Sequence, residues 1–378
     1  MFRTPHAIIF PTLLPVVALL LSACAGSNPA PVIPGSTNAA SAASTSVSSS
    51  SRRNNGGGYR IKDLGVLTGD SVSKAYALNA TGQVTGVSET PTAAIATFFA
   101  NGTTVNVNTL NAQVSLGEAI DSSGRVAGYM FLSGGAPAHA FLYSNGTMQD
   151  INDSGLFPAG TYGFGINDSG AVVGQGWLSS SGTFHPFLFA NGKMSDIGTL
   201  GGIQATAYAI NDSNQIVGAS LNSAEVQHAF LYANGKMSDL GVAPGSIATG
   251  AAAINSTGQI AGTIYLNGGG SDAALYSKGR WTDFGNFSGA AGSSATGISK
   301  AGRIVGTAKF PNQYHPFKAG KHVALIVESG HLVDLNTLIP PGSGLTVTDA
   351  LAINDAGQIA ADATTSAGSQ HAVLLTPK

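Results

Sequence analysis

Between Ala207 and Gly241 the chain reads AYAINDSNQIVGASLNSAEVQHAFLYANGKMSDLG, a succession of short apolar runs broken by turn signals. AYAIN and QIVGAS flank one turn, and HAFLYA and KMSDL flank Asn234-Gly235, so the pattern predicts four strands. Asn-Gly between β-rich runs favours a type I′ hairpin, because both central residues need positive φ. The signal recurs at Asn101-Gly102, Asn145-Gly146 and Asn191-Gly192. So does the whole unit. Its first-strand marker residue appears as Leu78, Ile120, Ile166, Ile210, Ile254, Ile298 and Ile353, at spacings of 42, 46, 44, 44, 44 and 55 residues. Four residues after each marker stand Gly82, Gly124, Gly170, Asn214, Gly258, Gly302 and Gly357, types that tolerate a left-handed backbone.

One and three residues before every marker the side chain is Ala or Gly, from Ala75 and Ala77 in the first copy to Ala350 and Ala352 in the last. Strand alternation puts those two positions on one face. A face that is always small suits the innermost strand of a propeller blade, where sheets taper towards an axis. The period fits a four-stranded blade. The last copy stops after its third strand, while Tyr59 to Gly65 (YRIKDLG) matches the missing fourth. The expectation for 59–378 is therefore all-β: a seven-bladed β-propeller of four-stranded blades, closed by the N-terminal strand completing the last blade. Closure would remove the exposed sheet edges of an open array.

His and Asp recur in phase with the strands. A two-residue Asn-Gly loop puts Asp150 opposite Phe141, and so His139 diagonal to Asp150 on the same face. The same offset of eleven pairs His185 with Asp196 and His228 with Asp239, and across the proposed closure His371 with Asp63. The first copy has Ile95 and Asn106 in these places and lacks both partners. The expected role is structural, pinning the outer strands, with no metal and no cofactor.

Residues 1–23 carry Arg3, an apolar run from Ala7 to Leu21 and the ending Leu21-Ser22-Ala23 before Cys24, the single cysteine. The run is too short, and too broken by Pro11 and Pro15, for a membrane-spanning helix, and reads as an export signal. Leu-Ser-Ala-Cys resembles the bacterial lipobox, which implies cleavage before Cys24 and its acylation. The alternative is an ordinary signal cut at the small residues around Cys24. Ala25 resembles the residue that follows the cysteine in outer-membrane lipoproteins. Residues 24–58 are rich in Ser, Ala, Asn, Pro and Gly, which reads as a disordered tether. Net charge is −2, with no Lys/Arg cluster, which argues against a nucleic-acid partner.

The largest departure from the repeat runs from Lys309 to Gly344 and carries Tyr314, His315, Lys318, His322 and His331. Insertions in repeat proteins often map to the binding face, so these five are the candidate ligand-binding residues. Trp177 and Trp281 are candidates for stacking a sugar or for packing. The four glutamates, Glu89, Glu118, Glu225 and Glu328, form no local dyad, and G-x-S-x-G, H-E-x-x-H, P-loop and dinucleotide motifs are all missing. No catalytic residue is expected. The Asn-Asp-Ser-Gly stretches at Asn152 and Asn167 lack the ligand series of a calcium loop and read as turns.

His-Ala-Phe-Leu-Tyr at 139–143 and 228–232, Gly-Lys-Met-Ser-Asp at 192–196 and 235–239, Ala-Ile-Asn-Asp from 352 with Gly357, and Asp-Leu-Asn-Thr-Leu-Ile-Pro at 334–340 together resemble the bacterial HAF repeat family. The resemblance implies an exported bacterial protein and brings no catalytic residues with it. The expected function is a lipid-anchored binding or interaction module of the outer membrane, facing an envelope polysaccharide or protein. Two alternatives stay open: a polysaccharide-active hydrolase or lyase with its site at the channel mouth, and a purely structural surface protein. Radiolabelled palmitate supplied to the native host should label the chain, and Cys24→Ser should abolish the label; label surviving that substitution would remove the lipid anchor.

Overall fold

The computed structural model describes residues 58–100, 102–135, 137–179, 182–312 and 320–378. The expected export signal, Cys24, the expected tether up to residue 57, Asn101, Tyr314, His315 and Lys318 lie outside the described residues. The described chain is all-β, with 28 strands and one short 3-10 turn at Leu335–Leu338.

After β1 (Tyr59–Asp63) the strands fall into seven units. Unit one is β2 (Val72–Leu78), β3 (Val84–Glu89), β4 (Ala94–Ala100) and β5 (Thr103–Asn106). Unit two is β6 (Val114–Ile120), β7 (Val126–Phe131), β8 (Ala138–Ser144) and β9 (Thr147–Asp150). Unit three is β10 (Thr161–Ile166), β11 (Val172–Trp177), β12 (Phe184–Ala190) and β13 (Lys193–Asp196). Unit four is β14 (Gly201–Ile210), β15 (Ile216–Asn222), β16 (Gln227–Ala233) and β17 (Lys236–Asp239). Unit five is β18 (Ser246–Ile254), β19 (Ile260–Leu266), β20 (Ser271–Ser277) and β21 (Arg280–Asp283). Unit six is β22 (Gly292–Ile298), β23 (Ile304–Lys309), β24 (His322–Glu328) and β25 (His331–Asp334). Unit seven has three strands of its own, β26 (Leu345–Ile353), β27 (Ile359–Thr365) and β28 (Gln370–Pro377). Its fourth place is taken by β1, antiparallel to β28, with Tyr59 opposite Pro377 and Asp63 opposite Val373. Single parallel bridges, Ala94 to Val114, Phe184 to Gln204 and Ser271 to Gly292, join the other units pairwise into three eight-stranded sheets.

The turn chemistry is as the residue types require. Asn145-Gly146, Asn191-Gly192 and Asn234-Gly235 have positive φ at both residues, and so do all seven positions four after the markers, Asn214 included. Apolar side chains of neighbouring sheets meet face to face. Val217 and Ala229 of unit four pack on Ala251 and Ile260 of unit five, and Ala75, Val84 and Phe99 of unit one pack on Ala360 and Ala372 of unit seven. The first strands touch in cyclic order, β2 to β6, β10, β14, β18, β22, β26 and back to β2.

The small positions correct the alternation argument. In each first strand the register slips between them, as at Ala75/Ala77 and Ala207/Ala209, so the residue between is a β-bulge. A bulge breaks the two-residue period. The two small residues therefore face opposite neighbours: a Cβ on Gly163 would stand 2.8 Å from the Gly128 carbonyl oxygen of unit two, and one on Gly165 3.0 Å from the Tyr208 carbonyl oxygen of unit four. Both faces of the strand are tight, which is why both positions are small.

Two sets of hydrogen bonds fix the spacing between units. One residue after the marker, Asn79, Asn211, Asn255 and Asn354 each accept at Oδ1 from backbone N–H groups of their own turn. Their amide nitrogens donate to the carbonyl of the matching residue in the next unit: Asn79 to Asp121 at 2.9 Å, Asn211 to Asn255 and Asn255 to Ser299 at 3.0 Å, and Asn354 back to Asn79 at 3.0 Å. Asn167 does the same to Asn211 at 3.2 Å. Asp121 and Ser299 have no amide to donate, and there the bond runs from Ser122 N to Asp168 and from Lys300 N to Asp355.

The second set joins third strands to the next first strand. Backbone N–H groups of Ala96, Ala140, Ala229, Ala273 and Ala372 donate to the hydroxyls of Ser115, Thr161, Thr249, Ser293 and Ser73. Between units three and four the donor place is Pro186 and the hydroxyl place is Ala205. Both halves of the bond are missing together, so neither buried group is orphaned.

Asn211→Ala strips an acceptor from its turn and a donor from the buried Asn255 carbonyl. It should cost about 1–3 kcal/mol in urea unfolding, while the exposed neighbour change Ser213→Ala should stay within about 0.5 kcal/mol.

Candidate functional site

The bulge that tightens the first strands also aims one side chain of each inward, as bulges do elsewhere. These residues are Tyr76, Glu118, Phe164, Tyr208, Ala252, Thr296 and Leu351, and all seven line one cavity of about 430 Å³ enclosed by the first strands. Outer strands add Tyr129, Gln175, Trp177, Phe184, Thr307, Lys309 and His322 to its wall.

One side of the cavity is aromatic. Tyr129 meets Tyr162 at a centroid distance of 4.9 Å and Phe164 at 6.3 Å, both edge to face, and Phe164 meets Tyr208 at 5.9 Å. The hydroxyls of Tyr76 and Tyr129 and the Trp177 indole N–H are buried without a hydrogen-bond partner. Such groups are uncommon and costly, and here they lie just behind the cavity surface with no protein partner. Glu118 stands among them. Its carboxyl borders the cavity, yet it lies deep within the ring, and burial pushes it up to about 8. Burial, and then the Glu118 charge, raise both the Tyr76 and the Tyr129 phenols.

The other side is polar. His322 Nδ1 lies 2.9 Å from Asp349 Oδ1. Burial pushes the Asp349 carboxyl up, but the His322 hydrogen bond and charge, with hydrogen bonds from Thr348 and Thr307, bring it below its ordinary range. Burial lowers the Lys309 ammonium, with Asp349 opposing.

Of the five residues proposed from the long insert, His322 lines the cavity. In β24 Leu325 faces Asp334, so Val323 holds the place of His139 and His322 is one residue out of phase. That shift sends it to Asp349 of the next unit. His331 is exposed on the outermost hairpin, opposite Glu328, and is not part of the cavity wall. The four repeated pairs are all formed: His139 to Asp150 and His185 to Asp196 at 2.7 Å, His228 to Asp239 and His371 to Asp63 at 2.8 Å. The last joins the two ends of the chain. In each pair the Asp also accepts the backbone N–H two residues on, as in Gly241 to Asp239, so the pair pins a turn. In unit five Asp272 takes the His place against Asp283, and burial followed by that neighbouring charge raises its carboxyl. The two tryptophans part company: Trp281 packs on Tyr276 and donates to the Leu240 carbonyl oxygen, whereas Trp177 faces the cavity. Asn167 caps its own turn by accepting from Ser169 and Ala171.

No family model matches the chain, and no curated protein sequence matches it significantly. Solved structures do. The propeller domain of the Trilobed protease from Pyrococcus furiosus, which has an open velcro topology, superposes with a TM-score of 0.54 at 10% identity, over 81% of this chain and 97% of that domain. A puromycin-hydrolyzing peptidase of Mycobacterium tuberculosis gives 0.50 at 9% identity, over 84% of this chain and 51% of the peptidase. TolB from Acinetobacter baumannii gives 0.46 at 12% identity over 79% of this chain. This chain spans 64% of TolB's length and about half of the peptidase's. The fold is a β-propeller. At these identities the likeness extends to the fold alone.

Folded chains hold the Glu118 proton between about pH 4.5 and 8, where unfolded chains have released it, so this group's contribution falls as pH rises through that window. Glu118→Gln should match the parent near pH 5 and exceed it at pH 8.5 by roughly 1–3 kcal/mol, a range discounted for cavity water. Urea unfolding at the two pH values measures it.

Proposed function

We propose that this chain is an exported binding module: a seven-bladed propeller, closed by β1 in the last blade, held to the outer membrane through acylated Cys24, with its small ligand in the central cavity. One observation carries the reading. All seven first strands send their bulged side chain to the same space, and three residues of its wall, Tyr76, Tyr129 and Trp177, each keep a buried polar atom without a protein partner. A purely structural ring would be expected to satisfy those groups internally or to replace them by apolar ones. A glycoside hydrolase of the common kind needs two carboxylates on one scissile bond. The wall offers Glu118 and Asp349, from units two and seven, and Asp349 is committed to His322. Both features favour binding over turnover. The lipobox-like Leu-Ser-Ala-Cys and the HAF-type motifs support the envelope setting.

The test uses a Trp281→Phe background, in which the fluorescence of Trp177 reports on the cavity, titrated with neutral sugars, amines and short peptides. A ligand should shift the emission without being converted, and Ala252→Trp, which fills the cavity, should weaken binding at least about tenfold. Binding unchanged by Ala252→Trp would move the site elsewhere, and release of a product would favour the enzyme.

A further inference from the structure

The cavity has a chemical polarity that narrows its ligand. Among the described residues Glu118 makes no hydrogen bond or ion pair, although it sits deep in the ring. Buried carboxylates are ordinarily paired with a cation or held by donors. The potential partner cation of the wall, Lys309, lies on the polar side beside Asp349, which also holds His322. Next to Glu118 the wall is built of rings instead. Tyr76 and Phe164 bulge inward on the flanking strands, Tyr208 on the first strand after Phe164, and Tyr129 joins the wall from β7. The rings are not coplanar: Tyr129 and Phe164 meet at 77° and Phe164 and Tyr208 at 37°. A carboxyl group without a counter-charge, enclosed by aromatic rings, keeps its proton in the empty cavity and releases it beside a cation, which makes it the complement of a weakly hydrated organic ammonium.

We propose that the Glu118 side of the cavity binds an organic ammonium group, with the carboxylate as its counter-charge and Tyr76, Tyr129 and Phe164 as its aromatic enclosure. This rests on the cavity being the binding site. An ammonium that carries N–H groups donates to the Glu118 carboxylate, and a methylated one presses its apolar surface on the rings. The rest of the molecule then reaches towards Thr307, Lys309 and His322, where an anionic or hydroxylated end finds donors.

The experiment titrates the full-length Trp281→Phe chain with choline, with ethanolamine, and with 3,3-dimethylbutan-1-ol, the uncharged carbon isostere of choline, read by Trp177 emission and by calorimetry. At least one of the two cations should bind, and the isostere at least about tenfold more weakly. Glu118→Gln, which keeps the shape and removes the charge, should cost the cation about tenfold or more while leaving the isostere unchanged. Phe164→Leu, which keeps Glu118, should weaken the methylated cation about three- to tenfold. Choline binding more tightly than ethanolamine assigns a quaternary ligand, and the reverse order a protonated amine. Equal binding of choline and its isostere, or indifference to Glu118→Gln, overturns the ammonium assignment and leaves the cavity reading standing. Cation binding that survives Ala252→Trp overturns both. Failure of both cations to bind overturns the assignment, with the neutral-ligand titrations then deciding the cavity reading alone.

Discussion

An amide side chain one residue past five of the seven first-strand markers sets the geometry on which everything else rests. Asparagine is suited to the place because it has an acceptor and a donor on one short stem. The oxygen closes the turn of its own unit and the nitrogen reaches the backbone of the next, so local folding and spacing between units are fixed by one residue. Where the donor is lacking, at Asp121 and Ser299, a backbone N–H and an Asp of the following unit take over. The contact from Asn354 to Asn79 belongs to the same series, although the residues are 275 apart in the chain.

Holding first strands so close leaves no room for side chains between them, hence Ala or Gly on either side of the bulge. The bulged residue is the exception. It is excluded from both packed faces and can be of any size, and the chain uses that freedom: Tyr, Glu, Phe, Tyr, Ala, Thr and Leu in turn. Fold and site are thus written in adjacent positions, invariance outside and variation between, and the cavity gains a ring-lined acidic side and a polar side without any change to the scaffold.

Much of this was legible in the chain itself. Repeat length, turn residues, the His and Asp offset and the affinity of Tyr59–Gly65 for the last copy are local signals, and the corresponding strands, positive φ values and side-chain pairs are present. His322 and Trp177 were named from the sequence, but the seven inward residues of the first strands escape a strict alternation, because a bulge intervenes. The available signal was the large, varied residue between two small ones. Glu118 was seen only as an isolated glutamate, since its neighbours Tyr129 and Phe164 come from other strands. The long departure from the repeat, Lys309 to Gly344, supplies two wall residues, Lys309 and His322. Pro186 and Ala205 could also have been paired from the repeat alone, as a donor and acceptor lost together.

The account depends most on the two ends of the folded chain sharing a sheet, since that contact brings β2 against β26 and encloses the cavity. Amide hydrogen exchange, followed on a peptide covering Tyr59–Asp63, tests it most directly. If β1 is an integral strand of the last sheet, its paired amides should exchange only with global unfolding, at rates matching those of β27 and β28. Exchange at the rate of an unstructured segment, while β27 stays protected, would mean an open ring and would contradict the account.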